Sequence, residues 1–300
     1  MHSLIQGKWK KVWAYVLILG FSALLMALFP VSDAMWDPVL IISISALLFT
    51  LLVYLSAKLV KMDGDVWSIL LVATFLLLFM PGSSSFFMRD ELSVMELGSQ
   101  CIVPFFLQQY DRVSQKPYSG WHFLMLLMGI FCSYTHDGIT IPLCTGFLWM
   151  AFIHRGTFFR TACWPMVTGF VIGTVLSIWN AMHEGSVESA YGLESYTSRT
   201  ALALSVLWDT KIFLITVGLT AYLSVSRWGR QILIENFRGY TLLSCCAMFS
   251  YCVLPFAPLG VDNAVTGVCF FCMYWAMLLM RSLLDKFVVQ RKSQIIKNKI

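Results

Sequence analysis

Residues 38–60 read PVLIISISALLFTLLVYLSAKLV, with a single charge, Lys58, near the far end. A helix needs ~20 predominantly apolar residues to cross the hydrocarbon core of a bilayer, and this stretch is that long. Similar apolar runs recur on both sides of it with no long polar stretch between them. We read membrane spans at approximately 12–30, 38–60, 66–81, 92–109, 119–135, 138–153, 162–180, 201–226, 239–257 and 264–284. The expected fold is all-α: a polytopic transmembrane helix bundle of about ten spans. It forms a single integral membrane domain over 1–300, with a basic tail at about 285–300. The segment 92–109 contains Glu96, Gln100, Gln108 and Gln109. Lying along the interface, or re-entering, are therefore alternatives to spanning there.

Composition agrees. Of 300 residues 58% are hydrophobic and 12% charged, against a usual charged share of roughly a quarter. A soluble domain of this size cannot hide so much apolar surface, because surface and core scale differently with length. The excess must face lipid. The nine cysteines all fall within the predicted spans or at their ends, where they read as small apolar packing residues. Cys269-x-x-Cys272 is one turn of an apolar helix, and no second Cys or His pair completes a zinc site. Lys8, Lys10 and Lys11 precede an apolar stretch from Val12 to Phe29, longer than the usual signal-peptide core, so a retained first helix is expected. No Walker or dinucleotide glycine pattern occurs, which argues against ATP-driven transport by this chain alone.

The positive charges orient the chain. With ten spans and the N-terminus inside, inner segments hold Lys8, Lys10, Lys11, Lys58, Lys61, Arg112, Lys116, Arg155, Arg160, Arg227, Arg230, Arg238 and the six cations of the tail. Arg89, Arg199 and Lys211 are left outside. Positive-inside sorting therefore places both termini in the cytoplasm. The tail is expected on the anionic inner leaflet. Scattered over separate segments, these cations give no argument for nucleic acid. Eleven of the 16 acidic residues lie outside or near the outer span ends: Asp33, Asp37, Asp90, Glu91, Glu96, Asp137, Glu184, Glu188, Glu194, Asp209 and Asp262. Solvated loops and an outward-facing polar site both account for that enrichment.

Four outer places carry chemistry. In Ser133-Tyr134-Thr135-His136-Asp137-Gly138, two short apolar segments meet at an ionisable pair. Such groups at membrane depth are costly unless they face a cavity or partner; the bland alternative is an external hairpin reaching headgroups. The loop 181–199 begins with His183-Glu184-Gly185 and ends with Arg199, whose forked donors can bind phosphate or pair with Glu188 or Glu194. Asp33 and Asp37, beside Trp36, can share a divalent cation or act as base and electrostatic partner. Arg89-Asp90-Glu91 follows a Gly/Ser-rich stretch and is similarly ambiguous. Gly169-x-x-x-Gly173 reads as a helix-packing motif, and His122 as an interfacial anchor.

An acidic first external loop, a recessed outer His-acid pair (Tyr134-Thr135-His136-Asp137-Gly138) and basic inner loops resemble bacterial GT-C-type membrane glycosyltransferases and O-antigen polymerases. The resemblance implies transfer of a sugar from a polyisoprenyl-phosphate donor at the outer face, in a bacterial inner membrane. Asp33, Asp37 or Asp137 would then act as base or metal partner, His136 would position or protonate, and Arg89, His183, Glu184 and Arg199 would bind the substrate. Those enzymes usually carry adjacent acids in the first loop, whereas here Asp33 and Asp37 are separated by three residues. A multi-pass transporter or flippase and a scaffold for other membrane assembly proteins are the alternatives.

Overall fold

The structure is a computed structural model that describes residues 2–27, 37–80, 91–114, 116–133, 137–153, 158–183, 210–253 and 261–297. Among them it is all-helical: α1 His2–Ala27, α2 Pro38–Leu59, α3 Val66–Phe79, α4 Glu91–Ser114, α5 Leu124–Ser133, α6 Asp137–Ile153, α7 Trp164–His183, α8 Lys211–Val225, α9 Arg227–Gly239, α10 Thr241–Val253 and α11 Val261–Lys297. Short 3₁₀ turns occupy Gly120–Phe123 and Phe158–Arg160. Trp9–Ala27, Pro38–Leu59 and Val265–Lys286 are long and apolar enough to cross a membrane; Val66–Phe79, Leu124–Ser133, Ile139–Ile153 and Lys211–Val225 are shorter apolar helices. The outer surface is apolar to match: Trp67 and Val225 are each 81% exposed. Large exposed apolar patches of this kind mark contact with lipid or a partner.

Local chemistry sets the helix ends. Asp37 caps α2, its carboxylate accepting from the Val39 N–H at 2.8 Å, with Pro38 at the first helical position. Asp65 caps α3 in the same way through Ser68. The far end of α2 closes in a Schellman turn: the Met62 N–H donates to the Ala57 carbonyl at 2.7 Å and the Lys61 N–H to the Lys58 carbonyl at 3.1 Å. This turn puts Lys61 at φ 55°, a left-handed position where glycine is usual.

α11 is the centre of the bundle. Phe270, Phe271, Met273, Tyr274, Met277 and Leu278 are all buried, and α6, α8, α9 and α10 pack on this helix. Interhelical hydrogen bonds stitch the interior: Ser56 Oγ to the Tyr274 hydroxyl at 2.6 Å, Gln108 Nε2 to the Leu55 carbonyl at 2.5 Å, and Cys101 Sγ to the Leu48 carbonyl at 3.3 Å. Each is worth roughly 0.6–2 kcal/mol in apolar surroundings. The segment whose place the sequence left open is one continuous helix, α4, lying along α2 with Leu97, Phe106 and Leu107 buried. A re-entrant hairpin would need a turn that this helix lacks.

Small residues let α5 and α7 approach closely. A Cβ on Gly169 would lie 2.1 Å from the Leu126 carbonyl oxygen, and one on Gly129 would lie 2.2 Å from that of Met166. Gly173 likewise receives Ser133 Oγ, so the Gly169/Gly173 pair is a packing motif.

One element corrects the sequence reading. Residues 227–239, taken there as a basic inner loop, form the amphipathic helix α9. Ser226 caps it by accepting from the Gly229 N–H at 2.8 Å. Asn236 and Ser282 exchange hydrogen bonds at 2.8 and 3.0 Å, and Glu235 pairs with Lys286 at 3.4 Å, fixing α9 to α11. Through Lys297 the tail continues α11.

Candidate functional site

Four turns far apart in sequence meet at one end of the bundle. The turn after α2, the end of α4, the Phe158–Cys163 turn and the α9–α10 junction together line a cavity of about 530 Å³. An antiparallel bridge between Pro117 and Thr161 holds the second and third turns together. It is flanked by hydrogen bonds from the Tyr118 N–H to the Arg160 carbonyl at 3.0 Å and from the Ala162 N–H to the Lys116 carbonyl at 2.8 Å. Beside this bridge the Tyr118 ring packs at a tilt against Trp164 and His122, and His122 Nδ1 accepts from the Ser119 N–H at 2.9 Å. His122 is thus an anchor of the loop.

The cavity wall carries the cations Lys58, Lys61, Arg112 and Arg238 against the carboxylates Asp63 and Asp111. That leaves a surplus of two positive charges, at the rim of an apolar bundle where screening is weaker than in open solvent. Lys58 donates to the Tyr54 hydroxyl. Lys61 lies over the Tyr240 ring, 5.2 Å from its centroid, and the Tyr240 hydroxyl accepts from Arg281. Cys163 exchanges a hydrogen bond with Thr161 at 2.9 Å.

The acidic residues divide by role. Asp65 caps α3, Glu235 pairs with Lys286, and Asp285 pairs with Arg281 at 3.5 Å. Asp63 and Asp111 instead face the cavity, and neither makes an ion pair among the described residues. A wall of this kind can take a phosphate on its cations and offer a carboxylate as proton acceptor beside it. No group of three or more His, Cys, Asp or Glu side chains suited to a metal ion occurs among the described residues.

The outer residues expected to carry chemistry are mostly beyond this view. Asp33, Arg89, His136, Glu184 and Arg199 lie outside the described residues, as do the side chains of Asp137, the first residue of α6, and His183, the last of α7. Asp37 is exposed and caps α2. Two short helices, α5 and α6, flank residues 134–136, with Thr140 Oγ1 donating to the Ser133 carbonyl at 3.2 Å. Asp137 starts α6 and Met150, near its other end, lines the basic cavity, so the two places are about 20 Å apart along the helix.

Sequence reasoning used Lys58, Lys61, Arg112 and Arg238 only to orient the chain and passed over Asp63, Asp111 and Tyr240. The available signal was the acidic residues remaining on the basic side, two of which line the cavity. No protein-family model, curated protein or solved structure matches the chain.

Proposed function

We propose that the chain is a ten-span membrane protein with both ends in the cytoplasm that binds the phosphate of a lipid-linked sugar, in cell-surface polysaccharide or glycolipid assembly. The observation that carries this reading is the grouping of Lys58, Lys61, Arg112 and Arg238 around one cavity with a net positive wall. By positive-inside sorting that cavity faces the cytoplasm. The GT-C resemblance assigns transfer to Asp33, Asp37, His136 and Asp137; a phosphate held about 20 Å from Asp137 along α6 is not reacting there, so the basic cavity is read as a carrier-binding site. A flippase that moves the same carrier between leaflets is the second reading, favoured by the distance between the basic cavity and Asp137.

The test is native mass spectrometry of the full chain with a polyisoprenyl-phosphate sugar. Neutralising Lys58, Arg112 and Arg238 to Gln should weaken binding by tenfold or more, which corresponds to about 1.4 kcal/mol. Undiminished binding by the correctly folded triple variant would sink the phosphate site.

A further inference from the structure

A second cavity, of about 750 Å³, lies beside the first. α8 and α10 both pack on α11, and the groove between them is floored by Cys272 and Trp275 and closed by Ile234 and Phe237 of α9. Its hydroxyl groups are already satisfied. Thr216 donates to the Ile212 carbonyl at 2.7 Å, Thr220 to that of Thr216 at 2.7 Å, Ser224 to that of Ala221 at 2.7 Å and Ser244 to that of Tyr240 at 2.9 Å. Trp275 Nε1 spends its proton on Thr220 Oγ1 at 3.3 Å. The wall therefore offers carbon and turned-in hydroxyls, which suits a hydrocarbon and would leave a polar solute without partners.

Arg238 lines both cavities. In the basic cavity it joins Lys58, Lys61 and Arg112; in the groove it is the one charged residue among the described lining. Among the described residues it makes no ion pair. Val217, Ala221 and Met248 leave the groove open on its outer side. A chain lying there stays continuous with the lipid around the bundle, and its head meets a cation at the mouth.

Building on the phosphate-site reading, we infer that the ligand is an amphiphile held in both cavities at once. Its phosphate sits between Arg238 and the basic wall, and its hydrocarbon chain lies in the α8–α10 groove, entering sideways from the bilayer. A free sugar phosphate or inorganic phosphate would occupy the first cavity alone. α9 sets the geometry, since it supplies both Arg238 and the apolar residues that close the groove.

The experiment uses the full chain in phosphatidylcholine nanodiscs with two probes: inorganic pyrophosphate, and dodecyl phosphate bearing a diazirine at the chain end. Photolabelling by the alkyl phosphate should map to α8, α10 and Trp275. It should fall at least fivefold in Arg238→Gln and again in Ala221→Phe, which fills the groove. Pyrophosphate binding should fall in Arg238→Gln and be unchanged in Ala221→Phe, which shows that the filled variant still folds. Labels spread over the rest of the apolar surface, or groove labels indifferent to Arg238→Gln, would overturn the two-cavity seat. Loss of pyrophosphate binding in the wild type, with groove labelling intact and sensitive to Arg238, would instead remove the soluble-phosphate part of the function reading and leave the amphiphile seat standing.

Discussion

Lys61 lies over the Tyr240 ring at 5.2 Å while the Tyr240 hydroxyl accepts from Arg281, so one tyrosine joins the α2 turn to α11 across the mouth of the basic cavity. A cation over an aromatic face is worth about 0.5–2 kcal/mol, depending on how far it is desolvated. Tyr240→Phe should keep the ring contact and lose the Arg281 bond, at a cost of about 1–3 kcal/mol. Thermal melting in detergent should show Tyr240→Phe destabilised by that amount; an unchanged melting temperature would contradict this role.

Lys61 holds a strained backbone. A non-glycine residue in the left-handed region costs about 1–2 kcal/mol, and at the Schellman position of α2 glycine would remove that cost. Lys61→Gly relieves that strain and loses the Tyr240 contact, two effects of similar size, so the melting temperature should change little while phosphate binding weakens several-fold. Such a split between stability and binding identifies a residue retained for the cavity. A variant that melts lower and binds normally would show the opposite.

The α5–α7 contact gives a prediction about packing alone. Gly169→Ala drives a methyl group toward the Leu126 backbone, which cannot rotate away. Overpacking of this kind costs typically about 1–3 kcal/mol. Gly20→Ala and Gly218→Ala meet nothing within 4 Å and serve as controls. Thermal unfolding in detergent should separate the first variant from the other two, and three equal curves would mean that α5 can back away from α7.

Much of the fold was legible because one apolar period dominates the chain. The stretch 38–60 matches α2 at Pro38–Leu59, 66–81 contains α3 and 138–153 contains most of α6. α9 was missed because its apolar face (Trp228, Ile232, Leu233) is interleaved with Arg227, Arg230, Glu235 and Arg238, and a hydropathy count averages the two faces together. The basic cavity was missed for a different reason. Sorting charges by side says that Lys58, Arg112 and Arg238 share an end of the bundle, but only the lateral packing of the helices decides that they share a cavity. Asp63 and Asp111 were visible as acids on the basic side, yet nothing local separates them from Asp65, whose place is a helix cap.

The sidedness of the bundle can be tested with single cysteines. Lys116 and Arg230 are exposed and belong to loops and helices at the basic end, whereas Val39, 70% exposed, starts α2 at the other. Eight of the nine native cysteines are buried, and Cys252 is replaced by Ser in the labelling background. With the basic end in the cytoplasm, Lys116→Cys and Arg230→Cys should react with an impermeant maleimide only in inverted vesicles, and Val39→Cys only in intact cells. Labelling of Lys116→Cys and Arg230→Cys from opposite sides would break the shared basic end itself. Labelling of both from outside would keep the bundle, reverse its orientation, and put the phosphate cavity on the face where the sequence had placed the acidic residues.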